Sequence, residues 1–440
     1  MPERPTLRSG FTTGSAASAS AKAAALELLG LLPDARPCPV DIPLPDGARL
    51  TVPVDEVADA PDLPDPTDAT TTPDTPDAAN TPDTPKTPDA PTPETPTPDV
   101  PDTPDAPDTT DATTTPGAPT PDAAVAPPVT GSPPAAARRV RAVTVKDGGD
   151  DPDVTHQARI GCTVWFDASL PPGDIRITGG PGVGVVTLPG LPVDVGRPAI
   201  NPGPLAQIRA ALAEALAMAG HAPGHGLTAV VDVEDGEALA TRTMNPRLGI
   251  VGGVSILGTS GIVKPFSHEA WKGAVSEALD VARAMGVVHV GLSTGRRSEK
   301  ALRRALPQLP EQAFVQIADF FGFSLEAAAG RGFSAVTLCA YPGKLVKMAM
   351  GLANTHAHLT DTDFAALADW CRQAGIAADV CAAVATANTV RHALELTRND
   401  PAFPGLPRLL VRKALAQARI FAGPGPRLDV AALDYDDRAL

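Results

Sequence analysis

From residue 245 onward, short apolar segments alternate with longer segments that have the apolar spacing of amphipathic helices. Strands that alternate with helices are joined by right-handed crossovers and form a parallel sheet. The pattern predicts strands at residues 249–251, 287–292, 314–317 and 335–338, and helices at 267–285, 298–305, 324–330 and 344–354. This α/β pattern predicts a Rossmann-like domain with a doubly wound parallel sheet over residues 241–360.

The loops that follow these strands form the expected binding site. Ligands of open α/β sheets bind beyond the carboxyl ends of the strands. Four loops of the predicted sheet lie there, at residues 252–261, 293–297, 318–322 and 339–344. We therefore expect a cofactor at this edge.

Residues 242–263 are rich in glycine and β-branched residues. No charged residue occurs between Arg247 and Lys264. Glycine within a strand pattern indicates a bulge, or the close approach of another backbone or of a ligand. Tight packing without a ligand would also select glycine. The pattern leaves both explanations open.

The glycine spacing differs from that of dinucleotide-binding proteins. Their fingerprint is G-x-G-x-x-G, with an acidic residue after the second strand. Here the spacing is G-x-x-G-G, and the second predicted strand is followed by Arg296 and Arg297. These arginines would suit the 2′-phosphate of NADP or hold a carboxylate-rich substrate. An NADP-dependent oxidoreductase thus remains an alternative.

The flanking regions have different patterns. Residues 1–240 combine short predicted strands with helices at 16–29 and 204–218, which indicates a mixed α+β N-terminal domain. Residues 361–440 are predicted to form a helical C-terminal region that packs on the α/β domain. Its predicted helices cover residues 363–375, 378–397 and 407–421.

A proline- and threonine-rich segment interrupts the N-terminal domain. Residues 59–137 contain 22 of the 50 prolines, 15 acidic residues and a single base, Lys86. Such a composition cannot bury an apolar core. We predict a disordered acidic insertion over residues 58–137, placed within one domain because strands of the same sheet are predicted on both sides.

The charge of the chain excludes one class of protein. The net charge is −15, and the insertion accounts for nearly all of it. The remainder is close to neutral, which argues against a protein that binds nucleic acid by phosphate attraction.

The cysteines and the hydropathy predict a cytoplasmic protein. The five cysteines show no C-x-x-C pair, a spacing typical of reduced thiols and not of a zinc site. No apolar run reaches the roughly 20 residues that a membrane helix needs. We expect neither a membrane partner nor a protein-bound metal.

Two N-terminal motifs carry polar groups. Thr12 and Thr13 precede the first predicted helix, where free N–H groups favour an anion or a simple cap. The stretch from Lys146 to His156 holds four acidic residues, which could bind a cation or cap a turn. Both explanations remain open for each motif.

Several long motifs carry a resemblance to a known family. They are L-R-S-G-F-T-T-G-S from Leu7, V-K-D-G-G-D-D-P-D-V-T-H from Val145, T-G-G-P-G-V-G-V-V-T-L-P-G-L from Thr178, N-P-R-L-G-I-V-G-G-V-S-I-L-G-T-S-G-I-V from Asn245 and G-K-L-V-K-M-A from Gly343. In this order they resemble the cobalt-precorrin-5B C1-methyltransferases of cobalamin biosynthesis, the CbiD family. The resemblance covers most of residues 7–400 apart from the insertion.

The resemblance implies a methyl transfer. The donor would be S-adenosylmethionine, and the acceptor a tetrapyrrole that brings its own cobalt. The product would be cobalt-precorrin-6A. Homo-oligomerisation and transient contact with other corrin-pathway enzymes stay open, and a non-catalytic tetrapyrrole-binding protein is a further alternative.

On this basis we assign candidate residues. Those expected to contact the donor are Gly252, Gly253, Ser255, Gly258, Thr259, Ser260, Gly295 and Asp319. Those expected to bind the substrate are Thr12, Thr13, Arg247, Arg296, Lys344, Lys347, Asn354 and His356. Those expected to act in catalysis are Asp147, Asp150, Thr155 and His156.

Two positions depart from the family pattern. Ala16 stands where the family usually has cysteine, so that thiol cannot be essential here. Tyr341 stands where a histidine is usual, and its hydroxyl could still donate a hydrogen bond.

Overall fold

The computed structural model describes residues 7–35, 37–60, 138–220, 224–357 and 359–440. They belong to one compact unit, Met1–Leu63 with Ala136–Leu440. The predicted acidic insertion lies outside the described residues, except for its first three positions.

The described chain contains both strands and helices, so the mixed α/β prediction is confirmed. The strands are β1 (Gly10–Phe11), β2 (Cys38–Pro43), β3 (Arg49–Val54), β4 (Glu56–Asp59), β5 (Arg139–Val145), β6 (Arg159–Asp167), β7 (Ile175–Gly179), β8 (Gly182–Val183), β9 (Val185–Val186), β10 (Gly226–Val233), β11 (Ile250–Val251), β12 (Gly253–Val254), β13 (Ile262–Val263), β14 (His289–Ser293), β15 (Phe314–Gln316), β16 (Ala335–Ala340) and β17 (Arg427–Ala432).

The helices are α1 (Thr13–Leu28), α2 (Pro202–Met218), α3 (Gly236–Ala240), α4 (His268–Ala284), α5 (Arg296–Ala305), α6 (Phe321–Gly330), α7 (Pro342–Ala349), α8 (Phe364–Gln373), α9 (Ala378–Ala385), α10 (Val390–Thr397) and α11 (Gly405–Ala422). Short 3₁₀ turns cover Asn245–Leu248 and Glu311–Ala313.

A five-stranded sheet forms the centre of the N-terminal half. Its strand order is β4-β5-β6-β10-β7, and all neighbours are antiparallel except the parallel pair β10 and β7. Helix α1 packs on β5, β6 and α2. The small alanine and serine side chains of α1 allow this close approach, because nearly the whole helix is buried.

The acidic insertion connects two neighbouring strands of this sheet. Strand β4 precedes it and β5 follows it, and the two pair antiparallel with Asp59 opposite Val140. The Ala60 N–H donates to the Arg139 carbonyl oxygen at 2.9 Å. The predicted boundary at residue 58 is therefore wrong by a few residues, because the pairing with β5 extends strand β4 to Asp59.

The glycine-rich run does not enter the parallel sheet, so the prediction that residues 249–251 form its first strand is wrong. Strand β11 pairs antiparallel with β9, β12 pairs parallel with β8, and β13 pairs antiparallel with β1. The run is therefore bound to strands of the N-terminal half.

Packing accounts for most glycines of this run. A Cβ atom built on Gly253 would lie 2.2 Å from the carbonyl oxygen of Gly182, and one on Gly258 would lie 2.4 Å from the Thr12 side chain. Gly249 and Gly261 adopt positive φ angles, and their Cβ atoms would overlap neighbouring side chains. Gly252 differs, because a Cβ atom at this position would point into open space.

The parallel sheet has the order β15-β14-β16-β17, with every pair parallel. Strand β17 was not predicted, since the last element predicted from the sequence was the helix at 407–421. Its charged Arg427 and Asp429 hide the strand pattern, because β17 lies at the edge of the described sheet. A second apolar core surrounds this sheet and includes α8–α11.

Two predicted helices also differ in their bounds. The predicted helix at 378–397 is divided into α9 and α10, because Thr389 caps a new helix by accepting from the His392 N–H at 3.1 Å. Helix α7 begins at Pro342, two residues earlier than predicted, since proline is favoured in the first turn.

Candidate active site

A cavity of about 840 Å³ lies at the carboxyl edge of the parallel sheet. We call it the edge cavity. The loops after β14, β15 and β16 line it, together with residues 355–357 and 389–391. Its volume lies within the range of small-molecule sites. Sequence analysis predicted a site at this edge, and three of the four predicted loops contribute to it.

Asp319 is the only acidic residue among the described residues that line the edge cavity. Its Oδ1 atom accepts from the Thr355 hydroxyl at 2.8 Å and lies 3.0 Å from the Lys344 ammonium. Burial alone would raise the pKa of Asp319, but Lys344 and Thr355 together lower it below its ordinary value. The carboxylate is therefore ionised, and its Oδ2 atom remains available to accept hydrogen bonds.

Two predicted substrate ligands, Lys344 and Lys347, are largely used within the protein. Lys344 donates to the carbonyl oxygens of Ala318 and Thr294, at 3.0 and 3.4 Å, and also contacts Asp319. The Lys347 ammonium is buried and donates to the carbonyl oxygens of Thr355 and Thr360. Both lysines line the cavity, but their bonds mainly brace its walls.

Three helices begin at the edge cavity. Gly295 precedes α5, Tyr341 precedes α7 and Thr389 precedes α10, and all three residues line the cavity. The backbone at Gly295 is extended, without a side-chain cap, and its Cβ would contact nothing within 4 Å. Helix N-termini and their unpaired N–H groups favour anions. These termini add to the positive charge of Arg296, which is exposed at the start of α5.

Asn354 and His356 lie in the loop after α7. The Asn354 side-chain oxygen accepts from the His356 N–H at 2.9 Å, so Asn354 shapes the turn. His356 lines the edge cavity, whereas Asn354 does not. The two predicted substrate ligands thus have different positions.

A smaller cavity of about 230 Å³ lies in the N-terminal half. We call it the inner cavity. It brings together Thr12, Thr13, Thr155 and Ser255, which sequence analysis assigned to three different roles. Its volume is below the usual range for a small-molecule site.

The hydroxyl groups of the inner cavity bond to protein atoms. Thr12 caps α1 by accepting from the Ser15 N–H, and the Thr13 hydroxyl donates to the Leu257 carbonyl oxygen at 3.1 Å. The Ser255 hydroxyl donates to the Asn245 side chain at 3.3 Å. At the start of α1, Thr12 therefore acts as a helix cap.

An ion pair between Lys146 and Asp153 lines this cavity. The Lys146 side chain is 1% exposed, and its ammonium lies 2.5 Å from Asp153. Asp153 also accepts from the Thr155 N–H and hydroxyl, both at 2.7 Å. Burial would raise the pKa of Asp153, but Lys146 and Thr155 outweigh it and lower the pKa.

The remaining predicted catalytic residues hold the N-terminal arm. Asp147 forms an ion pair with Arg8, and Asp150 accepts from the Arg8 N–H at 2.6 Å. The hydrogen bond from Arg8 lowers the pKa of Asp147. His156 accepts from the Gly148 N–H at 3.0 Å. None of these three residues lines the described edge cavity or inner cavity.

Other predicted residues lie apart from the edge cavity. Arg247 pairs with the buried Glu299 at 3.0 Å and donates to the Phe314 carbonyl oxygen at 2.6 Å, so it braces the interior. Thr259 and Ser260 lie in an exposed turn. Gly252, Gly253 and Gly258 of the same run do not line the edge cavity either.

Sequence reasoning missed several residues at the rim of the edge cavity, by which we mean Arg297, Tyr341, Arg391 and Tyr435. Arg391 and Tyr435 line it, and Asp437 binds the rim residues Arg297 and Tyr341. The chain has only two tyrosines, and both lie here. That scarcity was the available signal, but the C-terminal tail was not recognised as part of the sheet.

Other kinds of site are not found in the described part of the chain. No group of three or more His, Cys, Asp or Glu side chains there could hold a metal ion. No helix among these residues is long and apolar enough to cross a membrane. All five cysteines are buried free thiols, and burial raises the pKa of Cys339 to about 12.

A positively charged cavity at the carboxyl edge of a parallel sheet is typical of α/β proteins that bind anionic small molecules. Comparison with known proteins is more specific. The family model described as CbiD matches residues 1–83 and 118–265, and that of the CbiD C-terminal domain matches residues 354–440. The chain belongs to the CbiD family.

Three similar proteins share the name cobalt-precorrin-5B C(1)-methyltransferase. The protein of Nitratidesulfovibrio vulgaris is 53% identical over 285 residues, covering 64% of this chain and 72% of the relative. Those of Salinispora tropica and Burkholderia lata are 45% and 43% identical, covering 67% and 68% of this chain and 76% and 80% of the relatives.

One solved structure also matches. It is the cobalamin biosynthesis protein (cbiD) of Archaeoglobus fulgidus, 21% identical, covering 78% of this chain and 79% of that one. The TM-score is 0.32.

Proposed function

We propose that this protein transfers the methyl group of S-adenosylmethionine to C1 of cobalt-precorrin-5B, giving cobalt-precorrin-6A in anaerobic cobalamin biosynthesis. Membership of the CbiD family and the shared name of the relatives support this reaction. The protein is thus an S-adenosylmethionine-dependent C-methyltransferase. The cobalt belongs to the substrate, so we propose no protein-bound metal.

We also propose a two-domain arrangement. Residues up to about 263 would form the mixed α+β domain, followed by a Rossmann-like domain and the C-terminal helical region. The pairing of β11–β13 with β8, β9 and β1 argues for a boundary after Val263 and against one at 241. Strand β17 argues that the C-terminal region completes the parallel sheet.

The observation that carries the proposal is the edge cavity. Arginines, lysines and three helix N-termini surround it, with one carboxylate, Asp319. The acceptor carries acetate and propionate groups, which arginine binds by charge-assisted hydrogen bonds. The edge cavity is also larger than the inner cavity, at about 840 against 230 Å³, and so has more room for a tetrapyrrole.

Asp319 is suited to bind the methyl donor, S-adenosylmethionine. Its Oδ1 atom is held by Thr355 and Lys344, which leaves Oδ2 to accept from a ribose hydroxyl or an ammonium group. Gly295 leaves open space at the start of α5, where a ligand can approach the backbone. We propose these two residues as donor contacts.

S-Adenosylmethionine supplies an electrophilic methyl group when bound. The residues of the cavity contribute mainly by orientation, which can account for several kcal/mol of a barrier. Arg296 would hold an acetate or propionate group, while Lys344 keeps Asp319 and the neighbouring loops in place. His356 would contact the substrate from the loop after α7.

The other assignments stay predictions. Asp147, Asp150, Thr155 and His156 could contribute to catalysis only if the substrate reaches the acidic turn. Donor contact by Gly252 and Ser255 would require a second binding region. Homo-oligomerisation, contacts with pathway enzymes and a cytoplasmic location likewise stay predictions.

Mass spectrometry tests the reaction. The protein is incubated with S-adenosylmethionine and cobalt-precorrin-5B, and we expect the tetrapyrrole to gain one methyl group while S-adenosylhomocysteine forms. Binding of the tetrapyrrole without a gain in mass would support a non-catalytic carrier instead.

Calorimetry distinguishes the methyltransferase from the remaining alternative, an NADP-dependent oxidoreductase. We expect heat of binding with S-adenosylhomocysteine, and its loss in the Asp319→Ala variant. Tight binding of NADPH together with no response to S-adenosylhomocysteine would contradict the methyltransferase proposal and favour an oxidoreductase.

A further inference from the structure

Both tyrosines of the chain, Tyr341 and Tyr435, line the edge cavity. Each ring carries a stacked arginine. The guanidinium carbon of Arg297 lies 5.0 Å from the Tyr341 ring centroid, and that of Arg391 lies 4.2 Å from the Tyr435 centroid. Stacking fixes the plane of a guanidinium and leaves its N–H edges able to bind a carboxylate.

The C-terminal turn holds one of these pairs in place. Asp437 accepts from the Tyr341 hydroxyl and, at 2.8 Å, from Arg297. Arg297 also donates to the Tyr435 carbonyl oxygen at 3.2 Å. The turn itself is closed by Asp434, which accepts from the Asp436 and Arg438 N–H groups. The rim therefore depends on residues far apart in the sequence.

The rim keeps an excess of positive charge. Arg391 has no acidic partner among the ion pairs of the described residues. Asp437 occupies one N–H edge of Arg297, whose side chain remains 63% exposed. The single carboxylate inside the cavity, Asp319, is already paired with Lys344. Two oriented guanidiniums at one opening suit a ligand with several peripheral carboxylates.

We propose that Arg297 and Arg391 bind two peripheral carboxylates of the tetrapyrrole and so set its orientation in the edge cavity. Tyr341, Tyr435 and Asp437 are positioning residues that hold these two guanidiniums. The inference rests on the proposed function for the identity of the substrate. Its test can be made with a porphyrin alone.

The binding test uses uroporphyrin, a polycarboxylate porphyrin, and coproporphyrin, which has fewer carboxylates. Titration of the full chain is followed by porphyrin absorbance. We expect Arg297→Gln and Arg391→Gln each to weaken uroporphyrin binding about tenfold, as for loss of a charge-assisted hydrogen bond. The effect on coproporphyrin should be smaller.

Arg408→Gln is the matched control for charge. Arg408 is exposed on α11, and it does not line the edge cavity. Its replacement removes the same charge but should leave uroporphyrin affinity within about twofold at moderate salt, where distant charges are screened. Equal losses in all three arginine variants would overturn the inference, as would wild-type affinity in Arg297→Gln/Arg391→Gln.

The tyrosines are tested by two substitutions at one position. Tyr435→Phe keeps the ring beside Arg391 and removes only the hydroxyl that bonds to Arg391, whereas Tyr435→Leu removes both. We expect Tyr435→Phe to bind uroporphyrin more tightly than Tyr435→Leu does, with thermal unfolding used to verify that both fold. Equal affinities of the two folded variants would contradict the positioning role.

Kinetics distinguish this inference from the proposed function. With cobalt-precorrin-5B, both arginine variants should raise KM about tenfold while kcat stays within about twofold, because uniform binding is lost. An unchanged KM in an active enzyme would overturn the rim assignment alone. If no methyl transfer occurs but uroporphyrin binding still depends on both arginines, the proposed function fails and the rim assignment stands.

Discussion

The edge cavity and the inner cavity are lined by similar polar side chains but differ in how these side chains are bonded. In the inner cavity, Thr13, Ser255 and Lys146 bond to neighbouring protein atoms. At the edge cavity, Asp319 retains an oxygen for a ligand and Arg391 lacks an acidic partner among the described residues. Unused bonding capacity, more than the type of residue, distinguishes a binding site from a structural network.

The glycines of the two regions show the same difference. Gly253 lies against the backbone of Gly182, whereas Gly295 opens into the edge cavity. One glycine is required by packing, and the other leaves room for a ligand. The following predictions test this comparison, beginning with the largest expected effect.

Removing the buried cation of the inner cavity should be strongly destabilising. Lys146→Met leaves the Asp153 carboxylate without its ion-pair partner, and breaking a buried pair in this way costs about 3 kcal/mol or more. Urea unfolding measures the change. Recovery of part of the loss in Lys146→Met/Asp153→Asn would support a structural pair, and an effect below about 1 kcal/mol in Lys146→Met would argue against it.

This pair also predicts a pH dependence. The pKa of Asp153 is lowered in the folded protein, so its stabilising contribution is present above the ordinary aspartate pKa. It is lost as the pH falls through the folded value. The free energies of unfolding of the wild type and of Asp153→Asn, measured in urea, should therefore converge at low pH. A difference between them that does not change with pH would contradict this assignment.

Alanine substitutions at Gly253 and Gly295 should have different effects, the first on stability and the second on ligand binding. Gly253→Ala would overlap the Gly182 carbonyl oxygen and should cost about 2 kcal/mol. Gly295→Ala meets no neighbour and should change stability by less than about 1 kcal/mol while weakening S-adenosylhomocysteine binding.

Gly273→Ala is the control for this pair. Gly273 is exposed on α4, and its Cβ would contact nothing within 4 Å. Helix propensity predicts a gain of up to about 1 kcal/mol. If Gly253→Ala behaves like this control, packing does not explain the glycine-rich run.

Deleting the acidic insertion should raise stability modestly. Residues 61–137 would be replaced by an Asn-Gly turn between β4 and β5, whose ends are already hydrogen-bonded. A shorter loop loses less conformational entropy when its ends are brought together, so the deletion should stabilise the fold by about 2 kcal/mol. Thermal unfolding and methyl transfer measure the outcome, and loss of activity in a folded deletion variant would assign the insertion a role.

The smallest effect is expected at Glu277 on the wall of the inner cavity. Burial, with help from Asp280, raises the pKa of this carboxyl group in the folded protein. Stability should therefore fall as the pH rises from the ordinary glutamate value through the folded value. Glu277→Gln should remove this dependence and slightly raise the unfolding temperature at neutral pH. An unchanged pH profile would contradict the assignment.

The strand pattern predicted much of the fold. In the buried strands β14 and β16 most residues are apolar or glycine, and the loops after them identified the site at their carboxyl ends. Strand β17 was missed because Arg427 and Asp429 interrupt its apolar pattern. The glycine-rich run was misplaced because local sequence does not specify which strands it will pair with.

The candidate residues could be predicted only in part. Asp319, Gly295 and Arg296 follow predicted strands and do line the edge cavity. The partners of Arg247 and Asp147, namely Glu299 and Arg8, are distant in sequence. Long-range pairing of this kind decides whether a charged residue is available to a ligand, and residue type alone does not reveal it.

The most direct test of the account compares methyl transfer by one variant from each cavity. Transfer from labelled S-adenosylmethionine to cobalt-precorrin-5B is measured for Asp319→Asn and Glu277→Gln, with folding verified by thermal unfolding. We expect Asp319→Asn to lower kcat/KM by about tenfold to a hundredfold, and Glu277→Gln to leave it within about twofold. Loss of transfer in Glu277→Gln with full activity in Asp319→Asn would contradict the assignment of the reaction to the edge cavity.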